Sequence, residues 1–234
     1  MASLLRAKVA DKDLWKERSR GIIAFLLIFI VLNLLFNGLT ELLYSSGHLS
    51  SIAFGAELSA LLSMSFSLSV FYYLYLYKRE KLAKIVSGLG LGKSSVSPMK
   101  IAIGLLLFAI VALLELMVTA LGAATGISIN SNVATALASS PLWLYIFLAI
   151  VAPINEEILF RGFLVPRIGI VASSMLFALG HLSYNSSFGI EVIAALIFGL
   201  VSGYVFRKTG SLYPSIIAHI LVNVTSLLLV FVII

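Results

Sequence analysis

The sequence predicts an all-α membrane protein, a polytopic transmembrane helix bundle of seven or eight spans. Three observations predict it. Of 234 residues, 61% are hydrophobic and 11% charged, with a mean hydropathy of +1.11, where soluble domains run about half apolar and a quarter charged. Seven apolar runs, 21–44, 52–77, 101–121, 141–165, 169–182, 190–206 and 212–234, mostly approach the ~20 residues that a helix needs to cross ~30 Å of hydrocarbon. Finally, all sixteen Lys and Arg fall on one side of a seven-span arrangement, as positive-inside bias requires.

The elements follow in order. Residues 1–20, MASLLRAKVADKDLWKERSR, are polar and basic and read as a cytoplasmic N-terminal segment. The apolar run after them is longer than a signal-peptide core and lacks a small-residue cleavage site, so it reads as a retained first span. The second run ends in FYYLYLYKRE, an aromatic and basic interfacial anchor. Residues 78–100, with Lys78, Arg79, Lys81, Lys84, Lys93 and Lys100, read as a cytoplasmic linker. The third run holds Glu115. Between it and the fourth lies 122–140, where a partial or interfacial helix would raise the count to eight. Arg161 and Arg167 close the fourth run, the fifth is short, and Arg207 and Lys208 separate the sixth from the seventh. The whole reads as one transmembrane domain, 1–234, with its unusual polar residues gathered in 141–234. There is no cysteine, which removes disulfides, thiolate metal sites and cysteine nucleophiles. The net charge of +6 flanks membrane spans rather than forming one solvated surface, which argues for topology and anionic headgroups and against nucleic acid.

Ionisable side chains at membrane depth are costly and stand as functional candidates. In PINEEILFRGF, Glu157 and Arg161 are four apart and share a helix face, whereas Glu156 points about 100° away. Glu157 is expected to pair with Arg161, leaving Glu156 available. Phe177 and His181 in FALGH share a face at the same spacing, as do His219 and Asn223 in HILVN. An ordinary interhelical polar contact would also explain such pairs. At about 1.5 Å per residue, Glu156 lies about 16 Å from Arg167, His181 about 21 Å from Arg167, and His219 about 18 Å from Arg207. If the arginines mark one interface, the three groups share a depth.

A glutamate and a histidine together can take a proton from water, and a second histidine with an amide can donate to the oxyanion formed when water attacks a peptide carbonyl. Asn223 suits that second role because its amide donates without titrating. The metal alternative has Glu156, His181 and His219 bind zinc, which would activate a bound water instead. The chain lacks H-E-x-x-H, and no helix supplies two histidines. Glu115 can line the same cavity or be a buried carboxyl bonded to a neighbouring helix. Glu41, Glu57, His48 and Glu191 sit near span ends and read as solvated positions.

The run NEEILFRG, then FALGH, then HILVN resembles the three-motif signature E-E-x-x-x-R, F-x-x-x-H, H-x-x-x-N of the type II CAAX prenyl endopeptidases and the wider CAAX-protease and bacteriocin-processing family. The resemblance covers 156–223. It implies a multi-helix intramembrane endopeptidase whose site opens to the cytoplasm and which removes a C-terminal tripeptide from prenylated substrates. By that resemblance Glu156 and His181 activate water, His219 and Asn223 form the oxyanion hole, and Glu157, Arg161 and Phe177 support the site. The family is often labelled metalloprotease, yet its catalysis also reads as metal-free hydrolysis, so no cofactor is the first expectation and zinc the alternative. The expected partners are a lipidated or membrane-associated peptide and membrane lipid, in a plasma membrane or endoplasmic reticulum. Two other classes fit the same residues. A non-catalytic membrane partner or immunity protein would keep them as a polar scaffold. A proton-coupled transporter would use the carboxylates, but the chain shows no inverted repeat or paired interrupted helices.

Overall fold

The computed structural model describes residues 2–47, 54–125, 142–181 and 190–233. These form eight helices, and among the described residues there is no strand. They are α1 (Ala2–Ser45), α2 (Phe54–Tyr72, continued as a π-helical turn Tyr73–Tyr77), α3 (Leu82–Gly88) and α4 (Pro98–Thr125), followed by α5 (Leu142–Ile168), α6 (Ile170–Gly180), α7 (Ile190–Thr209) and α8 (Tyr213–Ile233). The seven apolar runs fall on α1, α2 and α4 to α8. The N-terminal segment 1–20 differs from its reading as a separate element, because α1 runs unbroken through it from Ala2. The possible partial helix in 122–140 and the loop 183–189 lie almost wholly outside the described residues.

Among the described residues four helices are long and apolar enough to cross a membrane: Arg20–Ser45, Pro98–Met117, Leu142–Ile168 and Val192–Thr209. Their burial orders them. The most apolar stretch of Arg20–Ser45 has no buried residue, against 44% buried in that of Leu142–Ile168, so α1 lies largely at the periphery and α5 nearer the centre. α6, with eleven residues, is about 16 Å long at 1.5 Å per residue and is too short for a full crossing by itself. It begins at Gly169, whose φ of +86° breaks the chain away from α5, a conformation that glycine reaches without a Cβ penalty.

Aromatic rings tie the outer helices to α5. Phe25 of α1 lies 4.6 Å from Phe163, and Phe66 of α2 meets Phe160 edge-on at 5.9 Å. Phe160 then meets Phe177 of α6 at 5.1 Å. On the other side α4 and α8 approach closely at Gly104, where a Cβ would stand 3.0 Å from both Ile217 Cβ and Pro214 O.

α5 is irregular for a reason written in its sequence. Two π-helical turns, Phe147–Val151 and Ile158–Leu164, flank the α-helical stretch Ala152–Glu157. Each wide turn closes on a bond from the residue just before a proline: Ala152 N–H to Phe147 O before Pro153, and Val165 N–H to Phe160 O before Pro166. A proline ring clashes with the carbonyl four residues back, and widening the turn by one residue relieves that clash.

Candidate active site

The stretch Ala152–Glu157 presents three consecutive polar side chains to three neighbours. Asn155 turns to α2, where Ser67 Oγ donates to its Oδ1 at 2.7 Å. Glu157, fully buried, faces Arg161 one turn along its own helix, with Nη1–Oε1 at 3.0 Å. That contact is an ion pair by distance without hydrogen-bond geometry. Glu156 keeps 17% of its side chain exposed and stands 3.7 Å from His219 Nε2 on α8. The pairing expected from i, i+4 spacing is therefore present, and Glu156 is the more open carboxylate.

Arg161 is 1% exposed. Its Nε donates to Ser202 Oγ of α7 at 2.8 Å, and that hydroxyl donates to Phe198 O at 2.6 Å. Its guanidinium lies 4.2 Å from the Phe177 ring centroid and 5.0 Å from that of Phe198. The planar cation is thus held by a carboxylate, a hydroxyl and two π faces on three helices, which is how a charge away from water is compensated.

His219 is 5% exposed and sits between both glutamates. Its Nδ1 is 3.0 Å from Glu157 Oε1. Because a carboxylate held by an arginine accepts, the network assigns the proton on this bond to Nδ1 and turns Nε2 toward Glu156. His181, which caps the C-terminal end of α6, makes the same kind of bond: its Nδ1 is 2.9 Å from Phe177 O, a carbonyl that only accepts. Phe177 is the common neighbour, with ring centroids 4.6 Å from His181 and 5.7 Å from His219. Asn223 Nδ2 donates to Leu148 O of α5 at 3.0 Å. Glu115 on α4 is partly buried and within electrostatic range of His219.

Glu156, Glu157, Arg161, Phe177, His181 and His219 are thus one cluster, and Asn223 reaches α5 two turns before Glu156. The resemblance gave Glu156 and His181 the activation of water and His219 the oxyanion hole; in the structure His219 Nε2 stands 3.7 Å from Glu156 Oε2. Contributors not singled out in the sequence include Asn155, Ser67, Phe198 and Ser202. Asn155 carried a signal, since it adjoins the glutamate pair. The two serines carried none, because serines are common in these helices and only packing selects the ones that meet a partner.

Among the described residues no three His, Cys, Asp or Glu side chains converge with metal-ligand spacing. Glu156 and Glu157 both face His219, at 3.7 and 3.0 Å. No step below passes through a metal.

Comparison with known proteins falls on this same segment. Residues 138–225 match the family model described as Type II CAAX prenyl endopeptidase Rce1-like, a segment that contains the whole cluster and Asn223 but not Ser67 or Glu115. The uncharacterized protein YpbD of Bacillus subtilis (strain 168) is 33% identical over 78 residues, a match that spans 33% of this chain and 41% of YpbD. No solved structure matches. The family match and the four membrane-length apolar helices together support an integral membrane protein with a protease-like domain.

Proposed function

We propose that this chain, Rce1-like over residues 138–225, is an intramembrane endopeptidase that hydrolyses a peptide bond near the C-terminus of a lipidated, CAAX-type substrate. The observation that carries the reading is the convergence at one point of an open carboxylate and a fixed imidazole: Glu156 Oε2 and His219 Nε2, 3.7 Å apart. A single oxygen within about 2.8 Å of each atom bridges that gap. In this reading the oxygen is the attacking water. Glu156 takes its proton as the O–C bond to the scissile carbonyl forms, and the same proton passes to the leaving amine when the C–N bond breaks. His219 is oriented for this by the buried Glu157–Arg161 pair behind it, as the third member of a triad orients its base.

His181, across Phe177, is the second imidazole of the cluster. Asn223 has two amide hydrogens, and with one on Leu148 O the other remains for the oxyanion. No metal takes part in this scheme. The site is expected to open toward the cytoplasmic leaflet, where the apolar helices around it can receive a lipid chain beside the peptide.

The test is cleavage of a fluorogenic farnesylated CAAX peptide by detergent-purified protein, wild type and Glu156→Gln, each with and without a strong chelator. The reading expects the wild type to cleave with or without chelator. Glu156→Gln should lose at least about a hundredfold in rate, the usual scale for a general base. Cleavage that survives in Glu156→Gln would transfer the chemistry elsewhere, and chelator loss restored by zinc would replace the metal-free scheme. A folded wild type inert toward prenylated and other membrane-associated peptides would favour the polar-scaffold reading.

A further inference from the structure

We propose that Asn223 is a positioning residue that supplies the backbone donor Pro153 lacks, and so fixes the turn of α5 that carries Glu156. A helical carbonyl takes its bond from the N–H four residues ahead, or five ahead where the turn is π-helical. For Leu148 these are Ala152 and Pro153. Ala152 N–H is committed to Phe147 O, and proline has no N–H. Leu148 O is left without a backbone partner in either register, at a depth where an unpaired carbonyl costs several kcal/mol. Asn223 Nδ2, arriving from α8, donates to it at 3.0 Å.

The consequence reaches Glu156. Pro153 begins the short stretch that ends in Glu156 and Glu157, and its widened turn sets the angle at which that stretch leaves the helix above it. His219 stands on the same face of α8 as Asn223, one turn away. The Asn223–Leu148 bond and the His219–Glu157 bond, 3.0 Å each, are therefore two rungs between the same two helices, one on each side of Pro153. With both in place the separation of Glu156 from His219 is fixed. Loss of the upper rung frees α5 to shift at its weakest turn.

A double-mutant cycle separates this role from a direct one on the substrate, using full-length protein in detergent. Replacing Pro153 by alanine restores a donor for Leu148 O in either register, from Ala152 in an α-helical turn or from position 153 in a π-helical one. If Asn223 serves that carbonyl, the kcat loss on Asn223→Ala is at least about threefold smaller in the Pro153→Ala background than in the wild-type background, any lost oxyanion contact being common to both. An equal loss in both backgrounds overturns the proposal and leaves Asn223 as a donor to the oxyanion alone. The kinetic arm rests on the protease reading; the thermal arm does not. The same cycle in unfolding midpoints should show Asn223→Ala costing less than half as much once Pro153 is alanine. A midpoint loss unchanged by Pro153→Ala overturns the proposal whatever the substrate proves to be.

Discussion

At the scale of the residue, Arg161 is the group on which the site's charge balance turns. It and Glu157 are both essentially excluded from solvent and stand 3.0 Å apart. Removing one leaves the other buried and uncompensated, which costs about 3–5 kcal/mol. Arg161→Ala is therefore expected to lower the detergent unfolding midpoint strongly, and Arg161→Lys to fail as well. A lysine ammonium cannot reach Glu157 and Ser202 together while lying flat between Phe177 and Phe198. Glu156→Gln should leave the midpoint near wild type, since Glu156 is partly exposed and stands 3.7 Å from His219, beyond a direct hydrogen bond. A Glu156→Gln protein as unstable as Arg161→Ala would mean that Glu156 is structural. Much of this was legible: i, i+4 spacing alone predicted the Glu157–Arg161 pair and the greater freedom of Glu156. That His219 would stand against Glu156 was not. α6 and α8 are apolar on nearly every face, so their sequence periodicity does not say which side turns inward, and packing decides it.

At the scale of the element, boundaries were legible because each apolar run is bracketed by basic or turn-forming residues, and Gly169 and Gly210 stand where the chain turns between helices with positive φ. The internal geometry of α5 was less so, although its cause, Pro153 and Pro166, was in plain sight. The α6–α7 contact had a signal too. Gly199 and Gly203, four apart on α7, form a small-xxx-small pair that lets helices approach in lipid. A Cβ on Gly199 would stand 2.9 Å from Ser174 Cβ and 3.1 Å from its Cα, and one on Gly203 would stand 3.0 Å from Ile170 Cγ2. Since α6 carries Phe177 and His181 and α7 carries Phe198 and Ser202, pushing them apart loosens both sides of Arg161. Gly199→Ala is expected to destabilise by about 1–3 kcal/mol, the usual cost of overpacking, seen as a lower unfolding midpoint and reduced activity. Gly38 is the control, because nothing lies within 4 Å of its would-be Cβ. Gly38→Ala should leave the midpoint unchanged or slightly raised, and an equal loss at both positions would show that helix approach at Gly199 is not what the alanine disturbs.

At the scale of the whole molecule, the basic linker 78–100 proves to be part of the bundle's end wall. Its Leu89 and Ile85 are buried, Leu212 N–H donates to Gly90 O at 3.0 Å, and Ser211 Oγ and Tyr213 OH donate to Ser95 O and Leu91 O at 2.7 and 3.1 Å. The linker and the α7–α8 turn must therefore lie on the same side of the membrane. That requirement joins two basic segments, Lys78 to Lys100 and Arg207 with Lys208, which charge bias independently assigns to the cytoplasm. The absence of cysteine makes the assignment directly measurable. Lys93 and Ser46 are both exposed, on the linker and at the far end of α1, so single substitutions Lys93→Cys and Ser46→Cys report on opposite faces. In intact cells a membrane-impermeant maleimide should label Ser46→Cys and leave Lys93→Cys untouched until the membrane is permeabilised. If Lys93→Cys labels from outside, the orientation is inverted, and the end wall that would receive a cytoplasmic substrate faces the wrong compartment. If both label from the same side, α1 and α2 do not cross as a pair with the linker opposite Ser46, and the seven-span arrangement falls with them.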